Sequence, residues 1–255
     1  MKLCIIGLDC ATPQLLFDRY KGELPVIESL IQKGKSARLR SCDPPITVPA
    51  WACMMTGLDP GTLGIYGFRN RKDYGYDELF FANSSAIKYP RVWDICSRNR
   101  KKVIVLGVPQ TYPVRPVNGI LVSSFLTPSI KNRFTYPHRF RDELFKVAPE
   151  YMIDVPEFRT NDKDRLLESI IKMTEQRFRL ARYLIANKPW DFFMMVEMGL
   201  DRLHHGFWKF CDPEHPKYQK GNRYENVLLD YYKMLDKEIG ELISLIPDPE
   251  DTAIM

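Results

Sequence analysis

The sequence predicts an α/β fold in which helices flank a doubly wound, mostly parallel sheet. Two almost uninterrupted apolar runs, residues 2–8 and 190–198, have the length and composition of strands that are buried on both faces. Segments with helical spacing alternate with such runs, most clearly at residues 164–186 and 224–246. That alternation is typical of parallel sheets, because parallel neighbours need a crossover connection that is usually a helix.

The shorter elements continue this alternation along the chain. Residues 13–33 have helical spacing that is interrupted around Gly22 and Pro25. Further on we predict a short strand at residues 36–39, a helix from Val48 to Thr56 with Gly57 as its cap, a helix at 91–98, and strands at 103–108 and 119–123. Residues 129–162 carry scattered proline, arginine and aromatic residues, and we expect an insertion or cap segment over one end of the sheet.

We expect residues 1–255 to form a single α/β domain that lacks its C-terminal part. Residues 251–255 have the pattern of a buried strand that is cut after a few residues. The chain is therefore interpreted as the N-terminal portion of a longer protein. A missing neighbouring strand would leave a sheet edge and apolar surface uncovered, which would favour a homo-oligomer.

Composition and charge exclude several classes of protein. The formal net charge is only +5, and the short basic stretch at residues 98–102 reads as a solvated turn, so no nucleic-acid partner is expected. No apolar run is long enough for a transmembrane helix, and no membrane partner is expected. The six cysteines show no paired spacing, which indicates free thiols and a reducing, cytoplasmic location.

Thr47 carries the best candidate hydroxyl for a catalytic nucleophile. The prolines before it favour an extended approach, and the apolar run that begins at Val48 predicts a buried helix with Thr47 at its N-cap and Pro49 in its first turn. A hydroxyl there faces free backbone N–H groups and the positive end of the helix dipole, an arrangement that suits phosphate. The alternative is that Thr47 only caps the helix.

Three further residues are candidate metal ligands. Asp9 directly follows the first predicted strand, and Asp201 and His205 follow the strand at 190–198. In an open parallel sheet, ligands bind outside the carboxyl ends of the strands. Asp201 and His205 are four residues apart, so on a helical turn both could face one ion. Carboxylate and imidazole ligands together suit zinc or manganese better than calcium or magnesium. Asp9 could instead cap a helix, and Asp201 and His205 could be a surface pair.

These residues together carry a resemblance to a known family. Asp9 after the first strand, the Ile-Thr-Val-Pro stretch around Thr47 followed by Thr56-Gly57, and the pair Asp201 and His205 resemble the type I phosphodiesterase/nucleotide pyrophosphatase family of the alkaline phosphatase superfamily. The resemblance extends over essentially the whole chain. It implies an alkaline phosphatase-like core and a phosphoric ester hydrolase that acts on a small phosphate ester or a nucleotide.

The resemblance also implies the roles of the candidate residues. Two divalent ions, zinc in preference and manganese as the alternative, would be bridged by the reacting phosphate. Asp9 would bind one ion, and Asp201 and His205 the other, with Thr47 between them as nucleophile and ligand. Family members add an Asp-His pair and a later His, for which this sequence has no counterpart, so the 255 residues alone are expected to bind metal weakly and to be a poor catalyst.

Some positions depart from the family pattern and leave alternatives open. Leu63 stands where a His is usual, and Phe68 holds the position of a phosphate-binding Asn, with Asn70 two residues on. The alternatives are a phosphomonoesterase or phosphomutase of the same superfamily, or a non-catalytic binding module. A sulfatase is disfavoured because position 47 is Thr and no Arg follows nearby. Residues 206–215 could form a substrate lid or an ordinary surface loop.

Overall fold

The central element of the protein is a six-stranded sheet, seen in a computed structural model that describes all 255 residues. The strands are β1 (Lys2–Leu8), β2 (Arg69–Arg71), β3 (Leu79–Phe81), β4 (Val103–Leu106), β5 (Gly119–Val122), β6 (Thr135–Tyr136), β7 (Phe192–Glu197) and β8 (Thr252–Ile254). The helices are α1 (Pro25–Lys33), α2 (Thr47–Thr56), α3 (Pro60–Leu63), α4 (Val92–Arg98), α5 (Phe140–Val147), α6 (Lys163–Asn187), α7 (Gly199–Cys211) and α8 (Val227–Ser244). A π-helical turn (Gln14–Arg19) and a 3-10 turn (Pro249–Asp251) complete the elements.

The strand order confirms the predicted mostly parallel α/β sheet. The order is β6-β5-β4-β7-β1-β8, and only the pairing of β5 with β6 is antiparallel. β1 pairs with β7 in a register that sets Leu8 beside Glu197. The carboxyl ends of these two central strands therefore lie side by side, and the residues that follow them can meet.

Both faces of the sheet are covered, which explains the unbroken apolar runs. Every residue of β7 is buried, and alternate side chains enter different cores, Phe193 and Met195 one and Met194 and Val196 the other. Helices α5 to α8 contribute to the first core, and α2 and α4 to the second. None of these helices is long and apolar enough to cross a membrane.

Two local predictions are wrong. Residues 36–39 form no strand but an exposed segment after α1, because no neighbouring strand is there to pair with them. Residues 206–211 are neither lid nor surface loop but continue α7, and Phe207 is fully buried in the core. Leu200, Leu203 and Phe207 follow one another at intervals of three to four residues, a helical spacing that continues the buried face of α7.

Residues 129–162 contain regular structure of their own. This segment supplies the edge strand β6 and helix α5, and it places Phe134, Phe140 and Leu144 in the larger core. Its later part brings Asp154 and Phe158 to the start of α7. The segment is thus packed into the sheet at one end and reaches the edge where β1 and β7 finish.

Candidate active site

The site is built where β1 and β7 end side by side. β1 stops at Leu8, and Asp9 follows at once with 7% of its surface exposed. β7 stops at Glu197, and α7 begins two residues later, so that Asp201 lies in the first turn of that helix with 3% exposure. The parallel register of the two strands therefore brings the two carboxylates to the same edge of the sheet.

Glu197 fixes the start of α7. Its carboxylate accepts hydrogen bonds from the backbone N–H of Gly199 (2.8 Å) and of Leu200 (2.9 Å), which are unpaired donors at the start of the helix. Thr174 and Tyr231 donate to the same carboxylate from α6 and α8. A side chain on Gly199 would collide with the Tyr231 hydroxyl, so glycine is needed for this close approach. Glu197 thereby holds α7, and with it Asp201, against the end of the sheet.

Four side chains with metal-binding atoms meet around Asp201. The thiol of Cys10 donates to Asp201 Oδ1 over 3.1 Å, and Nε2 of His205 lies 3.3 Å from the same oxygen. One donor atom each from Asp9, Cys10 and Asp201 lie within 4.8 Å of one another. Two carboxylates and a thiol thus lie close together, with an imidazole beside Asp201, and donors of these types suit a divalent ion, zinc in particular.

Burial makes the negative charge of this cluster costly without a cation. Burial and the charge of Asp201 raise the pKa of Asp9 to about 6, although a hydrogen bond from Trp51 opposes part of the rise. Burial and the same Asp201 charge also raise the pKa of the Cys10 thiol. Acidic groups crowded in a poorly solvated place are the electrostatic setting in which a bound cation is favourable.

Arg202 is the cation that the protein itself supplies to this cluster. Its guanidinium pairs with Asp201, and it makes two hydrogen bonds of 2.8 Å to the carboxylate of Asp154. Burial alone would lower the pKa of Arg202, but its hydrogen bonds and charge pairing with Asp154 and Asp201 raise it. The rings of Phe125 and Phe158 lie over the guanidinium, at 5.4 Å and 5.2 Å. This clamp holds one oxygen of Asp201 and leaves Oδ1 to Cys10 and His205.

The structure separates the two neighbouring histidines. His205 is exposed over 64% of its side chain and faces Asp201. His204 instead packs between the rings of Trp208 and Tyr232, and burial lowers its pKa to about 4. Only His205 thus combines an accessible imidazole with a position beside the two aspartates.

Thr47 is the first residue of α2 and not its N-cap, which corrects the sequence prediction by one position. Ile46 has an extended backbone and its carbonyl accepts the first helical bond, from Ala50, so Ile46 is the cap. The Thr47 hydroxyl makes no capping hydrogen bond and is half-buried. Gly57 ends the helix in the left-handed conformation, as predicted. One turn after Thr47, Trp51 donates its indole N–H to Asp9 Oδ2 at 3.2 Å, which brings this face of α2 to the end of β1.

The positions that depart from the family pattern have structural roles. Leu63 is buried in the smaller core. The Asn70 side chain accepts from the backbone of Tyr66 (2.7 Å) and donates to that of Gly67 (2.9 Å), so it ties a turn together. Phe68 packs edge-on against Phe125, which covers Arg202. Phe68, where the resemblance suggests an Asn, therefore lies one aromatic ring away from Arg202.

Two clefts in the surface are large enough to be compared as substrate sites. One, of about 330 Å³, lies against His205 and Gly206 and is lined by Phe158, Arg159 and Lys163. The larger, of about 450 Å³, runs along α6 between Glu150 and Gln176 and includes none of the site residues. The smaller cleft is the better candidate for the site's opening, because His205 lines it.

The structure places the predicted residues Asp9, Asp201 and His205 at one edge of the sheet, together with four residues that the sequence analysis did not single out. They are Cys10, Trp51, Glu197 and Arg202. Cys10 and Arg202 adjoin the predicted aspartates in the chain, so their position was a usable signal. Trp51 lies one turn beyond Thr47 and shares its face of the helix. The sequence does not reveal the role of Glu197. A carboxylate at the end of a buried strand can be recognised as the acceptor for the first N–H groups of α7 only when the position of that helix is known.

The comparisons with known proteins agree with this architecture. Residues 3–255 match the family described as type I phosphodiesterase/nucleotide pyrophosphatase. A phosphonoacetate hydrolase from Sinorhizobium meliloti 1021, solved with phosphonoformate, superposes with a TM-score of 0.64 at 17% identity, over 96% of this chain and 53% of that one. Human ectonucleotide pyrophosphatase/phosphodiesterase 5 superposes with a TM-score of 0.53 at 12% identity, over 100% of this chain and 55% of that one. The chain thus spans about half the length of these structures, and no curated protein matches its sequence.

Proposed function

Because this chain belongs to the type I phosphodiesterase/nucleotide pyrophosphatase family, we propose that it carries the nucleophile and part of the metal centre of a phosphoric ester hydrolase. The preferred substrates are phosphodiesters or nucleotide pyrophosphates. The observation that carries the proposal is the meeting of Asp9, Cys10 and Asp201 within 4.8 Å at the ends of β1 and β7, with His205 beside them. Such a donor cluster at the carboxyl edge of a parallel sheet is where this fold class binds ligands.

In this proposal Asp9 holds one divalent ion, and Asp201 and His205 hold a second. Zinc is the preferred ion and manganese the alternative, because the donors combine carboxylate oxygen with imidazole nitrogen. When bound, two such ions lower the pKa of a coordinated hydroxyl and stabilise both the attacking and the leaving oxygen. Arg202 keeps Asp201 oriented by holding its other oxygen.

Thr47 is the proposed nucleophile. Its Oγ1 loses its proton to solvent and attacks phosphorus, a bond forms between them, and the bond from phosphorus to the leaving oxygen breaks as that oxygen takes up a proton from solvent. Water then attacks the phosphothreonine, which releases the phosphoryl product and restores the hydroxyl. Support comes from the free, half-buried hydroxyl at the start of α2 and from the Trp51 link between that helix and Asp9. Backbone N–H groups at the helix start favour the added negative charge.

The cleft beside His205 is the proposed entrance for the substrate. Arg159 and Lys163 line it and carry positive charge next to the proposed ion site. The net charge of the chain is also positive. Cationic groups at the mouth of a site attract phosphate esters and raise their local concentration.

A cytoplasmic location is also part of the proposal. All six cysteines are free, and two of them, Cys4 and Cys211, are buried in the core. Free thiols are typical of proteins in reducing compartments, whereas secreted proteins of this size usually pair them.

The function is tested by assaying an aryl phosphodiester, the matching monoester and the matching sulfate with zinc or with manganese. The assay is run on the 255-residue chain and on the product of its complete reading frame. We expect the complete product to show metal-dependent hydrolysis of the diester above the other two substrates, the 255-residue chain to show little, and Asp201→Asn to lose the activity. Phosphate ester hydrolysis that persists after chelation, or in Asp201→Asn, would overturn the proposal.

A further inference from the structure

We propose that Cys10 is a ligand of the ion held by Asp201 and His205, so that this metal centre includes a thiolate. The inference rests on the proposed metal-dependent function and deepens it. Cys10 is the residue directly after Asp9, and its sulfur lies 3.1 Å from Asp201 Oδ1. His205 Nε2 approaches the same oxygen to 3.3 Å. A sulfur donor from Cys10 and a nitrogen donor from His205 thus both approach Oδ1 of Asp201.

The spacing of these atoms fits the coordination shell of one ion. With zinc–sulfur and zinc–oxygen bonds of about 2.3 and 2.0 Å, a sulfur and an oxygen of a tetrahedral site are about 3.5 Å apart. The observed separation of Cys10 Sγ from Asp201 Oδ1 is 3.1 Å, and the cluster that also includes Asp9 stays within 4.8 Å. The Cys10 and Asp201 donors are therefore close to the spacing that a shared ion would set.

The backbone at Cys10 helps to aim the thiol. Its φ is +68°, in the left-handed region where glycine is the residue usually favoured. A turn of this hand immediately after β1 directs the side chain across to α7 and not along the sheet. The thiol meets Asp201 there, whereas Cys4 of the same strand lies within the larger core.

A thiolate in the shell would change which ion the site prefers. Thiolate is a soft donor that binds zinc well, whereas manganese and magnesium prefer oxygen. On binding, the sulfur–hydrogen bond breaks, a sulfur–metal bond forms, and the proton leaves to solvent, so no oxidant or reductant is needed. Arg202 remains on the other oxygen of Asp201 and is not displaced. The proposed consequence is selection of zinc over manganese.

Cobalt(II) is the probe, because a cobalt–thiolate bond gives a charge-transfer absorption in the near ultraviolet that oxygen and nitrogen ligands do not give. The protein is titrated with cobalt in the wild type, in Cys10→Ser and in Cys10→Gly. The glycine variant suits the positive φ, so it keeps the test valid if the serine variant fails to fold. Cys96→Ser is the matched control, since Cys96 is a half-buried free thiol on α4, outside the cluster.

We expect the sulfur band in the wild type and in Cys96→Ser, and its loss in both Cys10 variants. The zinc affinity of the Cys10 variants should fall by about 10- to 100-fold, the loss expected when a partner of a metal site is removed. Their manganese affinity should stay close to that of the wild type. Cobalt binding with visible ligand-field bands but no sulfur band would overturn the role of Cys10 and leave the metal centre standing. A protein that binds no cobalt or zinc would overturn both.

Discussion

Trp51 donates its indole N–H to Oδ2 of Asp9 over 3.2 Å, and this bond joins the helix of the proposed nucleophile to the proposed metal centre. The indole can reach Asp9 because it packs directly over β1 at Gly7. A Cβ on Gly7 would lie 2.4 Å from Cη2 of the Trp51 ring. Gly7 in β1 therefore makes room for Trp51 of α2. This packing orients the carboxylate of Asp9 and sets the distance between α2 and the sheet.

Trp51→Phe should weaken metal binding while the protein stays folded. Phenylalanine keeps the aromatic packing but cannot donate to Asp9, whose carboxylate then loses its orientation. Removing such a partner of a ligand typically costs 10- to 100-fold in metal affinity, so a loss of about tenfold is expected. Zinc affinity would be measured by competition with a chelating dye. Trp93→Phe is the control, because Trp93 is buried in the same core without touching Asp9. Equal losses in the two variants would contradict the role given to Trp51.

Gly7→Ala should destabilise the fold by displacing the indole. The added methyl group would overlap the Trp51 ring, and overpacking of this kind costs about 1–3 kcal/mol in the free energy of unfolding. Urea unfolding would measure the change. Gly67→Ala serves for comparison, because a Cβ there meets nothing closer than 3.9 Å and its φ is not positive. A Gly7→Ala protein as stable as Gly67→Ala would show that the indole has room to move.

Thr47→Ala should abolish turnover and leave metal binding largely intact. The variant removes the oxygen that is proposed to attack phosphorus, whereas the proposed metal ligands Asp9, Asp201 and His205 are untouched. The rate of aryl phosphodiester hydrolysis would be measured beside zinc content, with a fall of roughly a thousandfold or more expected from the loss of a nucleophile. Thr47→Ser, which keeps a hydroxyl, should retain part of the activity. Near-normal turnover in Thr47→Ala would remove Thr47 as the nucleophile.

His205→Ala should lose metal, and His204→Ala should keep it. The imidazole of His205 lies 3.3 Å from Asp201 Oδ1, whereas that of His204 is held against Trp208 and Tyr232. Because residues three and four positions apart are both neighbours on a helix, spacing alone would let either histidine face Asp201. Metal content and activity would be compared in the two variants. Loss confined to His204→Ala would reverse the assignment.

The sequence predicted the sheet and its edge because local pattern and burial agree there. β7 is buried along its whole length and β1 is half-buried with Cys4 in the core, so their apolar runs are unbroken, and the acidic residues that end them stand out. The same reasoning failed at residues 36–39, where a short β-like pattern has no partner strand. A strand needs neighbours, and a single sequence does not reveal which neighbours are near.

The parts of the site that were missed depend on contacts between distant segments. Glu197 binds the start of α7 only because β7 ends there, and Arg202 is fixed by Asp154, 48 residues earlier in the chain. Trp51 and Asp9 are 42 residues apart. Such pairs follow from the assembled tertiary structure and leave no local spacing to read. Thr47 was placed one residue off for a related reason, since helix boundaries are set by the capping geometry at Ile46.

The free energy of unfolding should decrease on acidification because His204 is buried in its neutral form. A single substitution at this position measures the decrease. Burial lowers the pKa of this side chain from its ordinary 6.5 to about 4. The unfolded chain therefore takes up a proton in this range that the folded protein does not. The stabilisation is present in full above pH 6.5 and is lost as the pH falls towards 4.

The measurement compares urea unfolding of the wild type and of His204→Phe at pH 7 and pH 5. The phenylalanine keeps an aromatic ring between Trp208 and Tyr232 but cannot take up a proton. The wild type should lose about 2 kcal/mol more than the variant between the two pH values. Other titrating groups contribute equally to both proteins and cancel in the difference. Equal losses of stability in the two proteins would mean that His204 is solvated and can take up a proton in the folded state. His204 would then become an alternative to His205 as a metal ligand.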